Sequence, residues 1–528
     1  MLWFRRKAPT FPSHIWWAAG AVLFVKCFLI LMTSVRGLAN MTWLIDDSFI
    51  EMRVARNLGM GAGFSLDGIN PTTGAPFFWI YLTSLNHFFL GKEAAIRATL
   101  MESALLGALA TVVVFHIAQK LTQDRRIAWT AFLLSTFTAN AFLNAMNGMD
   151  TALFTFLVLL TVALTLDVGR SARMSSFAWG CLVGLSAGLM LMTRGDAIFV
   201  VFSILCVKLY EYWRSDRHAR SDLRRWMLGT VLVSGICFGF FMTWQLIQTG
   251  SPFPGNQVGR RGLALAMHNF SFDHFSPVPY LQIVFWNVFQ LENLLTVATG
   301  GSVFALAALV YGTLQKRMRA FGILTIIYLA VFLGMLAGYQ WYFADLHGLR
   351  YLNPAAHILF VFIAAFVWQI PAEMWRKTAV AVVTASLILL ASYKHYQMTS
   401  RFPSAPYLSY IGMPDPEKNA FFWSTIDWMK ANLPAGTIVG VRDYGRVSMF
   451  TDVLVQDLAG NIDPEVAVAL RNGTLKEYLK SKHVEYLLIP TLEQRSDVLY
   501  QYLHREMPLR LMKDAPQSYN QNLYKIIW

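Results

Sequence analysis

Two adjacent aspartates, Asp46 and Asp47, follow the first hydrophobic segment of the chain, and Arg53 and Arg56 come shortly after them. A carboxylate beside a reacting hydroxyl can act as a general base, and the arginine fork is suited to phosphate oxygens. Residues that are adjacent in a helix do not share a face, so the two aspartates should have different roles. We favour Asp46, expected just outside the following helix, as the base, with Asp47 orienting the acceptor or an arginine; the reversed assignment is the alternative.

The same stretch also fits an ordinary helix start. Ser48 and Glu51 match a capping box, and Asp47 would complement the positive end of a helix over 48–58. This interpretation explains one aspartate well. It does not explain two carboxylates at a bilayer surface whose phosphates are also negative. From these residues alone, helix cap and catalytic group are equally good interpretations.

Other charged residues are expected on the same external side of the membrane. Asp150 begins a helix after the third apolar segment, and Arg194 precedes Asp196 on a short turn. A helix-start aspartate and a structural ion pair are the simpler interpretations of these residues. Arg350 is the preferred further ligand for a phosphate. The whole set of candidates for binding the substrate or its phosphate is Arg53, Arg56, Asp150, Arg194, Arg260, His347, Arg350 and Tyr351.

The composition is that of an integral membrane protein. Of 528 residues, 55% are hydrophobic and 14% are charged, whereas soluble domains carry roughly 25% charged residues. The net charge of +13 is distributed in short clusters between apolar segments. Such clusters are topology signals, so no nucleic-acid partner is expected. The four cysteines lie within apolar segments and indicate no disulfide framework.

The apolar segments predict a multi-pass domain. A cytoplasmic N-terminus places the basic connections on the cytoplasmic side, as the positive-inside rule requires, and an odd number of spans places residues 394–528 outside. We therefore predict a transmembrane catalytic domain at 1–393 and an extracytoplasmic domain at 394–528. The eleven segments near the bilayer-spanning length are 15–36, 94–119, 127–144, 151–167, 175–193, 197–212, 227–247, 295–314, 320–340, 352–370 and 377–393.

Two further patterns complete the predicted architecture. Residues 48–58 and the aromatic segment 75–91 predict helices lying at the outer interface, and 275–290 is a weaker candidate for the same. In the C-terminal part, "GTIVGV", "VLVQDL" and "VEYLLI" predict short strands, and "NAFFWSTIDWMKANLP" and "GTLKEYLKSKH" predict helices. The sequence thus predicts a small α/β domain after the membrane helices.

The run "DDSFIEMRVARNLGMGAGFSLDGINPTTGAPFFWIYL" resembles the first external loop of the GT-C polyprenyl-phosphate glycosyltransferases. It is most similar to the mycobacterial-type terminal β-arabinofuranosyltransferases, through the aspartate pair, "RVARNL" and "GAG". The motifs "GMDTALF", "TRGDA", "GSPFPGN" and "GLRYLNP" are similar to later motifs of that family. Asp150 replaces the usual glutamate, Gly195 replaces a proline, and "NPTTGAP" departs from the family's loop that faces the acceptor.

The resemblance implies an α-helical GT-C fold of about eleven transmembrane helices, with interfacial helices and an external α/β domain. It implies a sugar transferase with a polyprenyl-phosphate-linked donor, an aspartate of the first external loop as base, and external arginines on the phosphate. The sugar expected from it is arabinofuranose or a related pentose, and the acceptor is a cell-envelope glycan or a surface glycoprotein. No cofactor is firmly implied, although an acidic pair can hold a divalent metal ion.

Two other classes of function stay open. Within enzymes, the chain could transfer a hexose or aminoarabinose to lipid A or protein. A flippase for lipid-linked sugars should need charged groups along its interior, and Lys26, Glu102 and His116 form no evident relay. A transporter or an assembly scaffold would tolerate the loss of Asp46. No HExxH, CxxC or P-loop motif is present.

Overall fold

The computed structural model describes residues 13–40, 44, 46–167, 169–170, 174–252, 301–338, 348–369, 416–442, 444–458, 460, 462–463, 465–489, 498–517 and 522–528. In chain order the helices are α1 (Ser13–Met32), α2 (Val35–Ala39), α3 (Asp46–Gly59), α4 (Phe77–Phe89), α5 (Lys92–Thr122), α6 (Arg125–Phe137), α7 (Ala139–Asn144), α8 (Thr151–Thr165), α9 (Ser176–Thr193), α10 (Ala197–Arg214), α11 (Arg217–Thr249), α12 (Gly301–Leu314), α13 (Arg319–Gly338), α14 (Asn353–Gln369), α15 (Pro416–Asn432), α16 (Gly445–Phe450), α17 (Glu465–Arg471), α18 (Leu475–Ser481) and α19 (Val498–Glu506). A 3-10 helix at Gly348–Leu352 precedes α14, and the strands are β1 (Ile438–Val441), β2 (Leu454–Asp457), β3 (Tyr486–Ile489), β4 (Leu509–Leu511) and β5 (Asn522–Ile526).

The helical architecture predicted from the sequence is confirmed, and the protein is a multi-pass membrane protein. Helices lie over ten of the eleven predicted spans, and the remaining one, 377–393, falls outside the described residues. The helix α4 has 13 residues, fewer than a bilayer crossing needs. Within the described part of the chain, five helices are long and apolar enough to cross a membrane: Ser13–Met32, Lys92–Thr122, Ser176–Thr193, Arg217–Thr249 and Arg350–Gln369.

The chain divides into two compact units that do not follow the sequence in a simple way. The first holds the described residues of Met1–Ser34, Leu100–Phe240 and Ser276–Met413. The second holds those of Val35–Thr99, Phe241–Phe275 and Pro414–Trp528. The segment that carries the acidic pair therefore belongs to the same unit as the C-terminal sheet.

In the first unit, α9 and α11 approach each other along a row of small residues. A Cβ added to Gly184 would lie 2.5 Å from the main-chain oxygen of Thr230, and one on Gly180 would overlap that of Trp226. Thr230 donates a hydrogen bond to the main-chain oxygen of Gly180 at 3.1 Å. Glycines at this spacing let two membrane helices pack backbone to backbone.

We expect Gly184→Ala to lower the melting temperature of the detergent-purified protein, because the added methyl group forces α9 away from α11. Overpacking of this kind costs about 1–3 kcal/mol. The matched control is Gly235→Ala in α11, where nothing lies within 4 Å of the added Cβ. An equal melting temperature for Gly184→Ala and wild type would contradict the packing described here.

The C-terminal part of the second unit is a five-stranded mixed sheet with strand order β2-β1-β3-β5-β4. β1 pairs in parallel with β2 and β3, while β5 pairs antiparallel with β3 and β4. The three strands and two helices predicted for this part are confirmed; β4 and β5 were not predicted. Buried aliphatic residues of the strands and of α17 to α19 form its core, among them Leu470, Leu479, Leu487 and Leu503.

Candidate functional site

Asp46 is the first residue of α3 and binds a different helix from its own. Its Oδ2 accepts a hydrogen bond from the main-chain N–H of Gly445 at 2.6 Å, and its Oδ1 accepts one from that of Arg446 at 2.9 Å. These N–H groups belong to the first turn of α16, which has no partners for them within the helix. The carboxylate also complements the positive end of α16.

The start of α3 corrects two details of the prediction. Asp46 was expected just outside the helix, and Ser48 was expected at its cap, but the helix begins two residues before Ser48. Ser48 is fully buried inside the helix. The physical reason is that α16 supplies hydrogen-bond donors to Asp46, a contact that spans 399 residues of sequence. Asp47, the next residue, is only partly buried and projects from a different face of the helix.

Polar residues of α3 organise the loop that follows it. Asn57 donates from its side-chain amide to the main-chain oxygens of Ser65 at 2.9 Å and Leu66 at 2.8 Å. Arg53 donates from Nε to the oxygen of Leu66 at 3.3 Å. The Nε edge of the Arg53 guanidinium is thus used to hold the loop, and Arg53 and Arg56 are both partly buried.

Four cations gather around the C-terminal half of α3. Arg56, Arg53 and Lys430 all act electrostatically on Lys92, the first residue of α5. We call Arg53, Arg56, Lys92 and Lys430 the basic cluster. Asp452 and Asp67 partly offset its charge, since Asp452 acts on both Arg53 and Lys92, and Asp67 acts on Arg53. The cluster retains an excess of positive charge, which suits an anionic ligand.

Lys92 was not among the residues predicted from the sequence. The signal for it was present, because a lysine directly after the interfacial segment 75–91 lies on the external side of the predicted topology, against the positive-inside trend. Burial also lowers the pKa of Arg53, and the neighbouring Arg56 lowers it further. These cations repel one another, so the fold must hold them close together.

His87 of α4 lies beside the basic cluster, and its burial together with the charges of the cluster favours its neutral form. Burial is the largest cause that lowers the pKa of His87 to about 4, and the charges of Arg56 and Lys92 add to the effect. The side chain is 7% exposed. His87 therefore adds no positive charge to the cluster near neutral pH.

We expect acid to destabilise the protein through His87. The folded-state pKa of about 4 lies below the ordinary value of 6.5, so the unfolded chain binds the proton more readily than the folded chain. The stabilising effect of neutral His87 is complete above about pH 6.5 and is lost as the pH falls towards 4. Melting temperatures measured across this range should fall less steeply for His87→Gln than for wild type, and parallel curves would contradict the assignment.

In the first unit, the structure brings together four other predicted residues. Arg194 forms a bidentate ion pair with Asp196, with Nε–Oδ1 at 2.9 Å and Nη2–Oδ2 at 3.0 Å, and its Nη1 lies 3.6 Å from Oδ2 of Asp150. Its guanidinium stacks over the Tyr351 ring at 4.3 Å. Arg350 donates to the Tyr351 hydroxyl at 3.4 Å. The predicted Arg194–Asp196 ion pair is confirmed, and it extends into a largely buried group that also contains Asp150, Arg350 and Tyr351.

This group explains why the Asp150 carboxylate does not cap the helix that follows it. Asp150 stands directly before α8, but its carboxylate makes no capping hydrogen bond to that helix. It is 4% exposed and faces Arg194 instead. Burial would lower the pKa of Arg194, but the charges of Asp196 and Asp150 outweigh this and raise it. Arg194 is therefore fixed as a cation among two carboxylates.

The remaining predicted residues are not placed by the structure. Arg260, His347 and the segment 275–290 lie outside the described residues. Among the residues that are described, no three His, Cys, Asp or Glu side chains are grouped in a way that could hold a metal ion.

Two family models match the chain. Residues 75–244 match the dolichyl-phosphate-mannose-protein mannosyltransferase family, and residues 416–524 match a domain family of unknown function. No curated protein matches the chain.

Several solved structures share the fold at low sequence identity. ArnT from Cupriavidus metallidurans bound to undecaprenyl phosphate has a TM-score of 0.57 at 13% identity, with 97% of each chain covered. The archaeal oligosaccharyltransferase AglB from Archaeoglobus fulgidus, in complex with an inhibitory peptide and a dolichol-phosphate, has a TM-score of 0.52 at 13% identity, covering 89% of this chain and 69% of that one. The arabinofuranosyltransferase AftD from Mycobacteria has a TM-score of 0.50 at 13% identity, covering 99% of this chain and 40% of that one. The chain thus has the GT-C fold, and the family match supports a glycosyltransferase.

Proposed function

We propose that this GT-C protein transfers a sugar from a polyprenyl-phosphate donor to a hydroxyl of a cell-envelope glycan or surface glycoprotein. The observation that carries the proposal is the joint placement, in one unit, of the acidic pair at the start of α3 and the basic cluster around its C-terminal half. Such a transfer needs both a base for the hydroxyl and cations for the departing phosphate.

The basic cluster is the proposed site for the donor phosphate. Arg56 and Lys92 would contact the phosphate oxygens, while Arg53 divides its donors between the ligand and the Leu66 carbonyl. Charge-assisted hydrogen bonds of this kind contribute about 1.5–3 kcal/mol each. The cluster would hold the phosphate in the substrate and stabilise the extra charge that develops on it as the sugar leaves.

Asp47 is the proposed general base. Both oxygens of Asp46 already accept hydrogen bonds from α16, which favours the reversed assignment over Asp46 as base. The acceptor oxygen attacks the anomeric carbon and the proton of the hydroxyl passes to Asp47. The bond between the anomeric carbon and the phosphate oxygen breaks, and polyprenyl phosphate leaves with the bonding pair. A direct attack of this kind inverts the anomeric centre.

Arg350, Tyr351, Arg260 and His347 stay predictions from the sequence as further ligands of the substrate. Asp150 and Arg194 would keep Tyr351 in place through the stacked guanidinium. The site would lie on the outer face of a bacterial plasma membrane, with the N-terminus in the cytoplasm and the domain at 394–528 outside the cell.

Arabinofuranose, or a related pentose, is the proposed sugar. Its support is the similarity of the α3 loop motifs to the arabinofuranosyltransferases and the shared fold with AftD. Transfer of mannose to a protein is the second candidate, and the match of residues 75–244 to a mannosyltransferase family favours it.

A donor panel tests both candidates. The purified protein in nanodiscs would be incubated with synthetic polyprenyl-phosphoryl arabinofuranose, mannose, glucose or aminoarabinose, each with an arabinoside or a threonine-containing peptide acceptor. Mass spectrometry of the products should show transfer from the arabinofuranose donor. Transfer from mannose alone would favour the second candidate, and no transfer from any donor would contradict the proposed function.

A further inference from the structure

The contact between Asp46 and α16 joins the helix of the acidic pair to the C-terminal sheet domain. We define the latch as the Asp46 carboxylate with the main-chain N–H groups of Gly445 and Arg446. Both carboxylate oxygens and both N–H groups are used. The latch is therefore a two-point contact that fixes direction as well as distance.

The residues around the latch pack closely. A Cβ on Gly445 would overlap the main-chain oxygen of Asp46, so only glycine lets α16 approach α3 this closely. The Arg446 side chain donates to the main-chain oxygen of Leu44 at 3.4 Å. Beside it, the Phe450 ring packs edge to face against Phe49 of α3 at 5.4 Å.

The same face of α16 reaches the basic cluster. Phe450 ends α16, and the ammonium group of Lys92 lies over its ring at 5.2 Å. Phe450 also packs against Trp423 of α15 at 4.9 Å. One short helix of the C-terminal domain thus contacts Asp46 and Phe49 of α3 and Lys92 of the proposed phosphate site.

We propose that Asp46 is a positioning residue, through which the C-terminal domain fixes the first turn of α3 and aims Asp47 at the acceptor hydroxyl. This inference rests on the proposed function in assigning the base to Asp47. The C-terminal domain then serves as part of the catalytic framework. A shift of about 1 Å in such a framework can cost about 100-fold in rate.

The test compares the full-length wild type with Gly445→Ala, Asp46→Ala and Asp46→Asn in nanodiscs. Gly440→Ala in β1 is the matched control, since its added Cβ crowds the side chain of Leu487 inside the sheet domain and not α3. Gly445→Ala and Asp46→Ala should lower kcat by about 10- to 100-fold and leave the donor KM within about twofold. The control should keep the wild-type kcat.

Asp46→Asn separates positioning from base catalysis. Asparagine keeps one carbonyl oxygen that can accept from α16, so this variant should retain clearly more activity than Asp46→Ala. If Asp46 were the base, asparagine and alanine would be equally inactive. Equal inactivity of the two variants, or wild-type kcat in Gly445→Ala, would overturn the proposal.

Hydrogen exchange tests the latch without any turnover. Gly445→Ala and Asp46→Ala should both speed amide exchange in 46–59 and in 444–450, whereas Gly440→Ala should leave 46–59 unchanged. Unchanged exchange of 46–59 in Gly445→Ala would overturn the latch. If the wild type transfers no sugar but shows this coupled exchange, the proposed function fails and the latch stands.

Discussion

Replacing Asp47 with asparagine should lower the rate of sugar transfer by about 10²- to 10⁴-fold, the usual contribution of a general base. The amide is close in size to the carboxylate but cannot take the proton of the acceptor hydroxyl. Steady-state assays with the active donor would measure kcat and the donor KM, and the loss should appear in kcat.

Two controls make this result specific. Asp47→Asn should bind polyprenyl phosphate as tightly as wild type, because the basic cluster is intact. Arg36→Gln changes an exposed charge of the same unit, which pairs with Asp427 in solvent, and should leave kcat unchanged. A wild-type kcat in Asp47→Asn would show that this carboxylate is not the base.

Replacing Arg56 or Lys92 with glutamine should weaken the binding of polyprenyl phosphate by about 10- to 100-fold. Each variant loses one charge-assisted hydrogen bond, worth about 1.5–3 kcal/mol, and glutamine keeps a polar but uncharged side chain at the position. Titration of purified protein with a short-chain polyprenyl phosphate, by calorimetry or a fluorescent lipid, gives the dissociation constant. The wild-type constant should also rise with ionic strength more steeply than that of either variant.

Arg36→Gln is again the matched control, since Arg36 is a cation of the same unit outside the basic cluster. The double variant Arg56→Gln/Lys92→Gln should bind more weakly than either single variant. Unchanged dissociation constants in the two single variants and the double variant would show that the phosphate does not bind at α3. Arg350 would then be the ligand to test.

Sequence patterns predict the membrane helices well, because each is a long apolar run with basic residues at one end. The strands β1, β2 and β3 were also recognisable, since each is a short buried run of aliphatic residues between turns. The strands β4 and β5 were missed because "LRL" and "NLYKI" are interrupted by polar or charged residues and contain no continuous aliphatic run.

The sequence likewise predicts some features of the candidate site and not others. The residue types in "DDSFIEMRVARN" indicate a base and phosphate ligands, and the short spacing between Arg194 and Asp196 predicts their ion pair. The partners of Asp46 could not be predicted, because Gly445 and Arg446 are almost four hundred positions away and contribute main-chain atoms. Lys92 was missed although its place directly after the interfacial segment 75–91 was a signal, because its proximity to Arg56 becomes visible only in the folded chain.

The most direct test of the central claim is to follow both products of one reaction. Wild-type protein in sealed vesicles would receive a polyprenyl-phosphoryl sugar labelled in the sugar, with acceptor present. We predict that glycosylated acceptor and free polyprenyl phosphate appear in equal amounts, and that Asp47→Asn forms neither. If the labelled lipid instead crosses the bilayer with its sugar still attached, at the same rate in wild type and Asp47→Asn, the protein is a transporter and the account is contradicted.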